Sequence, residues 1–319
     1  MGVLVHIFLF VFSAAVIWFF AGLLIESVDR VARRFHTTGF TVAFFVLGFL
    51  TSISEISVAV NATVARVPEM SVGNLVGASF VILLFIIPSL AVAGKNIELR
   101  HTLSKSNLQL ALATIFLPVL FVIDGDVTRG VGLLILFVYL ALLFAIRGQE
   151  DSDREVRVSK EDLLGSKGVT GTDGFTIIVG GLFIFLAGHF LVEQSVYFAN
   201  LLSVPSSLIG LMLLSVGTNV PELVIAVRSI LKKHKDIAFG DYIGSAAANT
   251  LIFGLLPLVN GGFGVETSGF TSTALLMLVG LVLFYFFARS KRMLSRNEGL
   301  ILLLFYGAFL YFIVASLLL

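Results

Sequence analysis

"SVGTNVPELVIA" (residues 215–226) lies among segments apolar enough for a lipid bilayer, yet it carries Thr218, Asn219 and Glu222, with Pro221 beside the carboxylate. An ionised Glu in hydrocarbon is costly, and Pro removes a backbone donor from a helix. Both costs in one place point to a membrane helix that is interrupted for a reason. Irregular backbone is tolerated at membrane depth only where protein or a water-filled cavity satisfies it.

The surrounding chain fits that setting. Of its 319 residues, 58% are hydrophobic and only 13% are charged. Apolar runs recur at about the 20 residues needed to cross a hydrocarbon core as a helix. They predict an all-α polytopic membrane protein with ten spans, at 3–27, 38–66, 70–94, 107–124, 129–147, 174–200, 205–232, 238–262, 269–289 and 297–318. No soluble domain is large enough for an enzyme, and no P-loop supports ATP-driven pumping. The chain has no Cys, which excludes disulfides and thiolate metal sites, and four of its five His lie near expected helix ends or loops. Nothing in the sequence calls for a cofactor, a nucleic acid or an obligate protein partner; membrane lipid is the implied surrounding.

The basic residues give the direction of the spans. Of 21 Lys and Arg, 19 fall at the odd-to-even connections, and only Arg66 and Arg129 lie at the other set of ends. The positive-inside rule places those basic connections in the cytoplasm and both termini outside. The only long polar segment, 148–173, reads as a cytoplasmic linker between a first half, 1–147, and a second, 174–319.

The halves are related. At a constant shift of 167 residues, Thr51 falls on Thr218, Glu55 on Glu222, Ala59 on Ala226, Gly73 on Gly240, Gly77 on Gly244 and Glu26 on Glu193. Five spans per half is an odd number, so the halves insert in opposite directions. This predicts two inverted five-helix repeats, an arrangement in which the substrate site lies near the midplane, where interrupted helices of the two halves meet. Glu55 and Glu222 would converge there on a cation. Thr51, Ser52, Thr218 and Asn219 supply further oxygens from the turn before each Glu. Ser245 and Asn249 repeat the Thr-to-Glu spacing on the eighth span, and i, i+4 residues share a helix face. A set made only of oxygen suits hard cations. Two carboxylates with several flexible neutral oxygens suit Ca²⁺ better than the strict octahedron of Mg²⁺.

"GTNVPE" (217–222) with "GDYIGSAAAN" (240–249), and "TSISE" (51–55) with "GNLVGAS" (73–79), resemble the two α-repeats of the cation/calcium exchanger superfamily. The ten spans, central linker and external N-terminus resemble its compact prokaryotic sodium/calcium exchangers. The resemblance implies an antiporter of the prokaryotic plasma (inner) membrane that exchanges Ca²⁺ for Na⁺ by alternating access, the first and sixth spans sliding past the rest. It also implies that Glu55, Glu222, Thr51, Ser52, Thr218, Asn219, Ser245 and Asn249 form the ion site. The first repeat departs from the pattern. Ala78 stands where a liganding Ser is expected, Ile82 where Asn is, and Ser54 where Pro usually precedes the Glu. Coupling to H⁺ is therefore the rival to Na⁺. Readings from other classes are a passive cation channel and a non-transporting homologue. An inverted repeat argues against the channel, and retention of both Glu against the non-transporter. His189 reads as a packed or outward-snorkelling residue, Asp124 and Asp126 as a solvated outer turn, and the many Phe as lipid-facing.

Overall fold

The computed structural model describes residues 2–34, 52–94, 96–98, 105–150, 172–220, 222–223, 226, 235–266, 270–290 and 293–318. In chain order the helices are α1 (Val3–Arg34), α2 (Ile53–Val64), α3 (Pro68–Gly94), α4 (Lys105–Ile123), α5 (Arg129–Glu150), α6 (Thr172–Leu202), α7 (Ser206–Thr218), α8 (Lys235–Asn260), α9 (Phe270–Ser290) and α10 (Arg296–Leu318). Among the described residues, eight helices are long and apolar enough to cross a membrane; α2 and α7 are shorter apolar helices. Of the ten expected spans, eight correspond to full-length helices among the described residues. The expected spans 38–66 and 205–232 are described only over α2 and α7 and the few residues next to them. A 12-residue helix such as α2 is about 18 Å long and does not cross hydrocarbon alone.

Burial separates a centre from a periphery. The most apolar stretches of α3 and α8 are 83% and 78% buried, against 17% for α1 and 28% for α5 and α10. Composition explains this. In lipid there is no hydrophobic drive between helices, so close packing through small residues decides which ones sit inside. α3 offers Gly73, Gly77 and Ala78; α8 offers Ala246, Ala247 and Ala248, all buried. α3 meets α7 at backbone contact. A Cβ on Gly73 would lie 1.8 Å from the Ser207 carbonyl oxygen, one on Gly77 2.4 Å from that of Leu211, and one on Gly210 2.2 Å from that of Met70. Only glycine fits at such a crossing.

Both helices depart from α geometry near it, in π-helical turns at Ile82–Ile86 and Gly210–Leu214. In α3 the wide turn comes just before Pro88, which has no N–H to continue the ladder. At the periphery, α1 packs extensively along α6. Phe20 stacks on Phe183 there, and His6 Nδ1 lies 2.6 Å from Gln194 Oε1.

Two minimal strand pairs add to the expected all-helical fold. β1 (Ile97–Glu98) pairs antiparallel with β4 (Met293–Leu294), and β2 (Asp126–Val127) with β3 (Phe263–Gly264). Each joins a connection in the first half of the chain to one in the second. The 167-residue shift recurs in the elements themselves. It carries the first residues of α3 and α5 onto those of α8 and α10, and brings those of α1 and α4 within two residues of those of α6 and α9.

The α3–α7 crossing yields a stability test. Gly73→Ala and Gly77→Ala force a methyl into backbone and should each destabilise the protein by about 1–3 kcal/mol, the usual cost of overpacking. Gly181→Ala, where nothing lies within 4 Å, should leave stability unchanged. Melting temperatures in detergent check the contrast; equal values for all three variants would contradict the crossing.

Candidate functional site

The break read from the sequence is a real interruption. α7 ends at Thr218, and Asn219 leaves helical geometry at φ −87°, ψ 8°. The helical pattern then resumes, with the Leu223 amide donating to the Asn219 carbonyl at 3.1 Å. Ser52 sits at the N-cap of α2, and Glu55 falls in its first turn. Exposed amides at a helix N-terminus favour an anion there.

The expected residues lie deep inside the protein. Glu55 and Glu222 are each 1% exposed, and Ser52, Thr218, Asn219, Ser245 and Asn249 are buried with them. Thr51 lies outside the described residues. Glu55 and Glu222 are close enough for their charges to interact. Ser54 links the start of α2 to the end of α7, its Oγ 2.8 Å from Glu55 Oε2 and 3.1 Å from the Thr218 carbonyl oxygen. Thr218 Oγ donates to Asn74 Oδ1 at 3.2 Å, tying the end of α7 to α3. Asn249 Nδ2 donates to Ser79 Oγ at 3.4 Å, tying α8 to α3. The Tyr242 hydroxyl donates to the Glu222 backbone carbonyl at 3.2 Å. Ser245 and Asn249 occupy continuous helix in α8 and share a face. The same spacing from Thr218 to Glu222 spans the break, so those two side chains do not follow helical register.

Sequence reading missed four residues that organise this region: Ser54, Asn74, Ser79 and Tyr242. Ser54 was visible only as a replacement for Pro. Asn74 had a signal in the 167-residue shift, which sets it opposite Asp241.

Several buried polar atoms have no hydrogen-bond partner; Ser71 Oγ and Asn74 Nδ2 on α3 and Ser207 Oγ on α7 are among them, and the rest are oxygens of expected residues. Glu55 Oε1, both Glu222 carboxylate oxygens, Asn219 Oδ1, Ser245 Oγ and Asn249 Oδ1 are buried without a hydrogen-bond partner. Leaving one such group unsatisfied costs roughly 1–3 kcal/mol, and more when it is charged. These are six unsatisfied oxygens on five of the expected residues, the donor type that a hard cation takes. Among the described residues no three His, Cys, Asp or Glu side chains cluster, so a cation held here depends on neutral oxygens as well as the two carboxylates. Ala78 and Ile82 are fully buried on α3 and bring no polar atom.

The lesser sequence features lie away from this region. His189 and Glu193 are exposed on α6, as the snorkelling reading of His189 expects. Asp124 lies in the turn after α4, and Asp126 begins β2. Phe19 and Phe286 project outward, more than half exposed.

Known proteins resemble this chain over most of its length. A family model described as "Sodium/calcium exchanger protein" matches residues 5–147 and 174–315. The sodium/calcium exchanger MaX1 of Methanosarcina acetivorans is 37% identical over 139 residues, a match spanning 43% of this chain and 39% of that relative. The inner membrane protein YrbG of Escherichia coli is 23% identical over 293 residues, covering 88% of this chain and 90% of the relative. Among solved structures, the sodium-calcium exchanger NCX_Mj soaked with 2.5 mM Na⁺ and 10 mM Sr²⁺ shares the fold at a TM-score of 0.64 and 20% identity, over 96% of this chain and 98% of that one.

Proposed function

The chain belongs to the sodium/calcium exchanger protein family, whose members are membrane transporters rather than enzymes, and from that premise we propose that it is a secondary antiporter moving Ca²⁺ against Na⁺. The single observation that carries this reading is the set of six buried, unpartnered oxygens around the break after α7. Ca²⁺ takes six to eight oxygen ligands in flexible geometry. Glu55, Glu222, Asn219, Ser245 and Asn249 would supply them, with Thr218 and Ser52 as further candidates and Thr51, outside the described residues, as a candidate from the sequence alone, and the two carboxylates would balance one divalent charge.

In this reading residues 1–147 and 174–319 are inverted five-helix repeats joined by a cytoplasmic linker, 148–173. Both termini face outward across the plasma membrane of a prokaryote. The constant shift between helices of the two halves supports the repeat, and the distribution of Lys and Arg supports the orientation. Transport proceeds by alternating access: the loaded ion neutralises the carboxylates, and the site opens to one side at a time.

One observation favours H⁺ as the coupling ion instead. A hard monovalent ion held mostly by neutral oxygens needs several of them. Ala78 and Ile82 withdraw two from the α3 wall, and both are buried where little water could substitute. Protons need only the two carboxylates.

Ca²⁺ flux into proteoliposomes, with Na⁺ and pH gradients imposed separately, tests the proposal. A Na⁺ gradient should drive Ca²⁺ movement. Glu55→Gln and Glu222→Gln should each reduce it on the order of 100-fold or more, because an uncompensated buried charge costs roughly 3–5 kcal/mol. Near-normal flux in either variant, at equal protein level, would sink the site. Flux driven by a pH gradient alone would replace Na⁺ with H⁺.

The α3 wall has its own test. Ala78→Ser/Ile82→Asn returns two oxygens, so the Na⁺ dependence of exchange should steepen. An unchanged, already steep dependence in the native protein would show that the missing oxygens do not limit Na⁺ binding.

A further inference from the structure

A hydroxyl or amide serves a cation only through oxygen lone pairs, so its hydrogens must be committed elsewhere. Around the buried break, three side chains each commit a hydrogen in this way. Thr218 Oγ gives its hydrogen to Asn74 Oδ1, and Asn219 Nδ2 donates to the Ser215 carbonyl at 2.7 Å. Asn249 Nδ2 donates to Ser79 Oγ. Asn219 Oδ1 and Asn249 Oδ1 are left without partners.

The two amides are held in different ways. Asn219 is anchored to a backbone carbonyl, which no substitution removes. Asn249 depends on one hydroxyl. Ser79 Oγ lies 3.1 Å from both the Leu75 and the Ala246 carbonyl oxygens. With its own hydrogen committed to one of those carbonyls, Ser79 Oγ can only accept, so it selects the NH₂ end of the Asn249 amide and turns Oδ1 the other way. Were the amide reversed, two N–H dipoles would face the buried space in place of a carbonyl oxygen, and they repel a cation.

We propose that Ser79 is a positioning residue that fixes the Asn249 amide with its oxygen available to Ca²⁺. It acts through Asn249 and does not itself touch the ion. The proposal rests on the antiport reading, in which Asn249 is a ligand. Position makes the role specific to this chain's first repeat. Ser79 and Ala246 are 167 residues apart, so a residue here meets its own repeat counterpart, and only one of the two carries a hydroxyl.

The test is the Ca²⁺ concentration dependence of exchange in proteoliposomes for the native protein, Ser79→Ala, Asn249→Asp and the double variant. Ser79→Ala should weaken apparent Ca²⁺ affinity about tenfold, the worth of one net hydrogen bond. A carboxylate has no NH₂ end to misplace, so adding Ser79→Ala to Asn249→Asp should change affinity by less than about twofold. The isosteric pair Ser79→Thr and Ser79→Val gives a second readout that does not depend on Asn249→Asp remaining active: Thr keeps the acceptor and the higher affinity, and Val loses it. Equal loss from Ser79→Ala in both Asn249 backgrounds, or equal affinity in the Thr and Val variants, would assign Ser79 to packing and overturn the proposal. So would unaltered affinity in Ser79→Ala. A native protein that moves no Ca²⁺ would overturn the antiport reading first. Native transport with no Ser79 effect would overturn this inference alone.

Discussion

Two carboxylates buried inside a membrane protein set the terms for everything around them. Glu55 and Glu222 are almost wholly removed from solvent, and Ser54 ties Glu55 to the carbonyl of Thr218, four residues before Glu222. Taking two like charges out of water is costly, and no Lys or Arg is buried with them among the described residues. The surrounding structure is what that cost requires. α2 begins two residues before Glu55 and α7 ends four residues before Glu222, and the short side chain of Ser54 bonds the Glu55 carboxylate. α3 and α8 wall the region with Gly, Ala, Ser and Asn, because bulkier residues would hold the broken ends apart. Gly73 and Gly77 let α7 reach α3 at backbone contact, which brings Thr218 to Asn74.

Much of this was legible in the sequence because it depends on chemistry that repeats. Apolar run length predicted the long helices to within a few residues at most ends. Where α1 runs on to Arg34, beyond the expected end at residue 27, the hydropathy signal had stopped, but helix formation does not need hydrocarbon. The polar positions stood out against an apolar background, and all of those the structure describes are buried. The interruption at Asn219 was announced by Pro221, which lacks a donor, and by the Thr and Asn that precede it.

What the sequence did not reveal depends on tertiary contact. The π-helical turns at Ile82–Ile86 and Gly210–Leu214 arise from packing and from a Pro two residues beyond the first, and "ILLFI" and "GLMLL" look like ordinary helix. The strand pairs are two residues long, too short for any alternation to register, and each partner lies well over 100 residues away. Ser79 sat in view inside a recognisable motif, but its partners Ala246 and Asn249 come from the other half of the chain. Periodicity within one helix cannot report such a pairing. The departures at Ala78 and Ile82 were legible as residues, while their consequence depends on which ion couples transport.

The central claim is that one cation is held between Glu55 and Glu222 by oxygen alone. The position of bound Ca²⁺ in crystals of the protein, located by its anomalous scattering, tests that claim most directly. The account predicts a single strong peak between the two carboxylates, with oxygens of both Glu within roughly 2.3–2.6 Å and Asn249 Oδ1 turned toward it. A fully loaded crystal with no peak there, or with Ca²⁺ bound only at surface carboxylates such as Asp124 and Asp126, would contradict it.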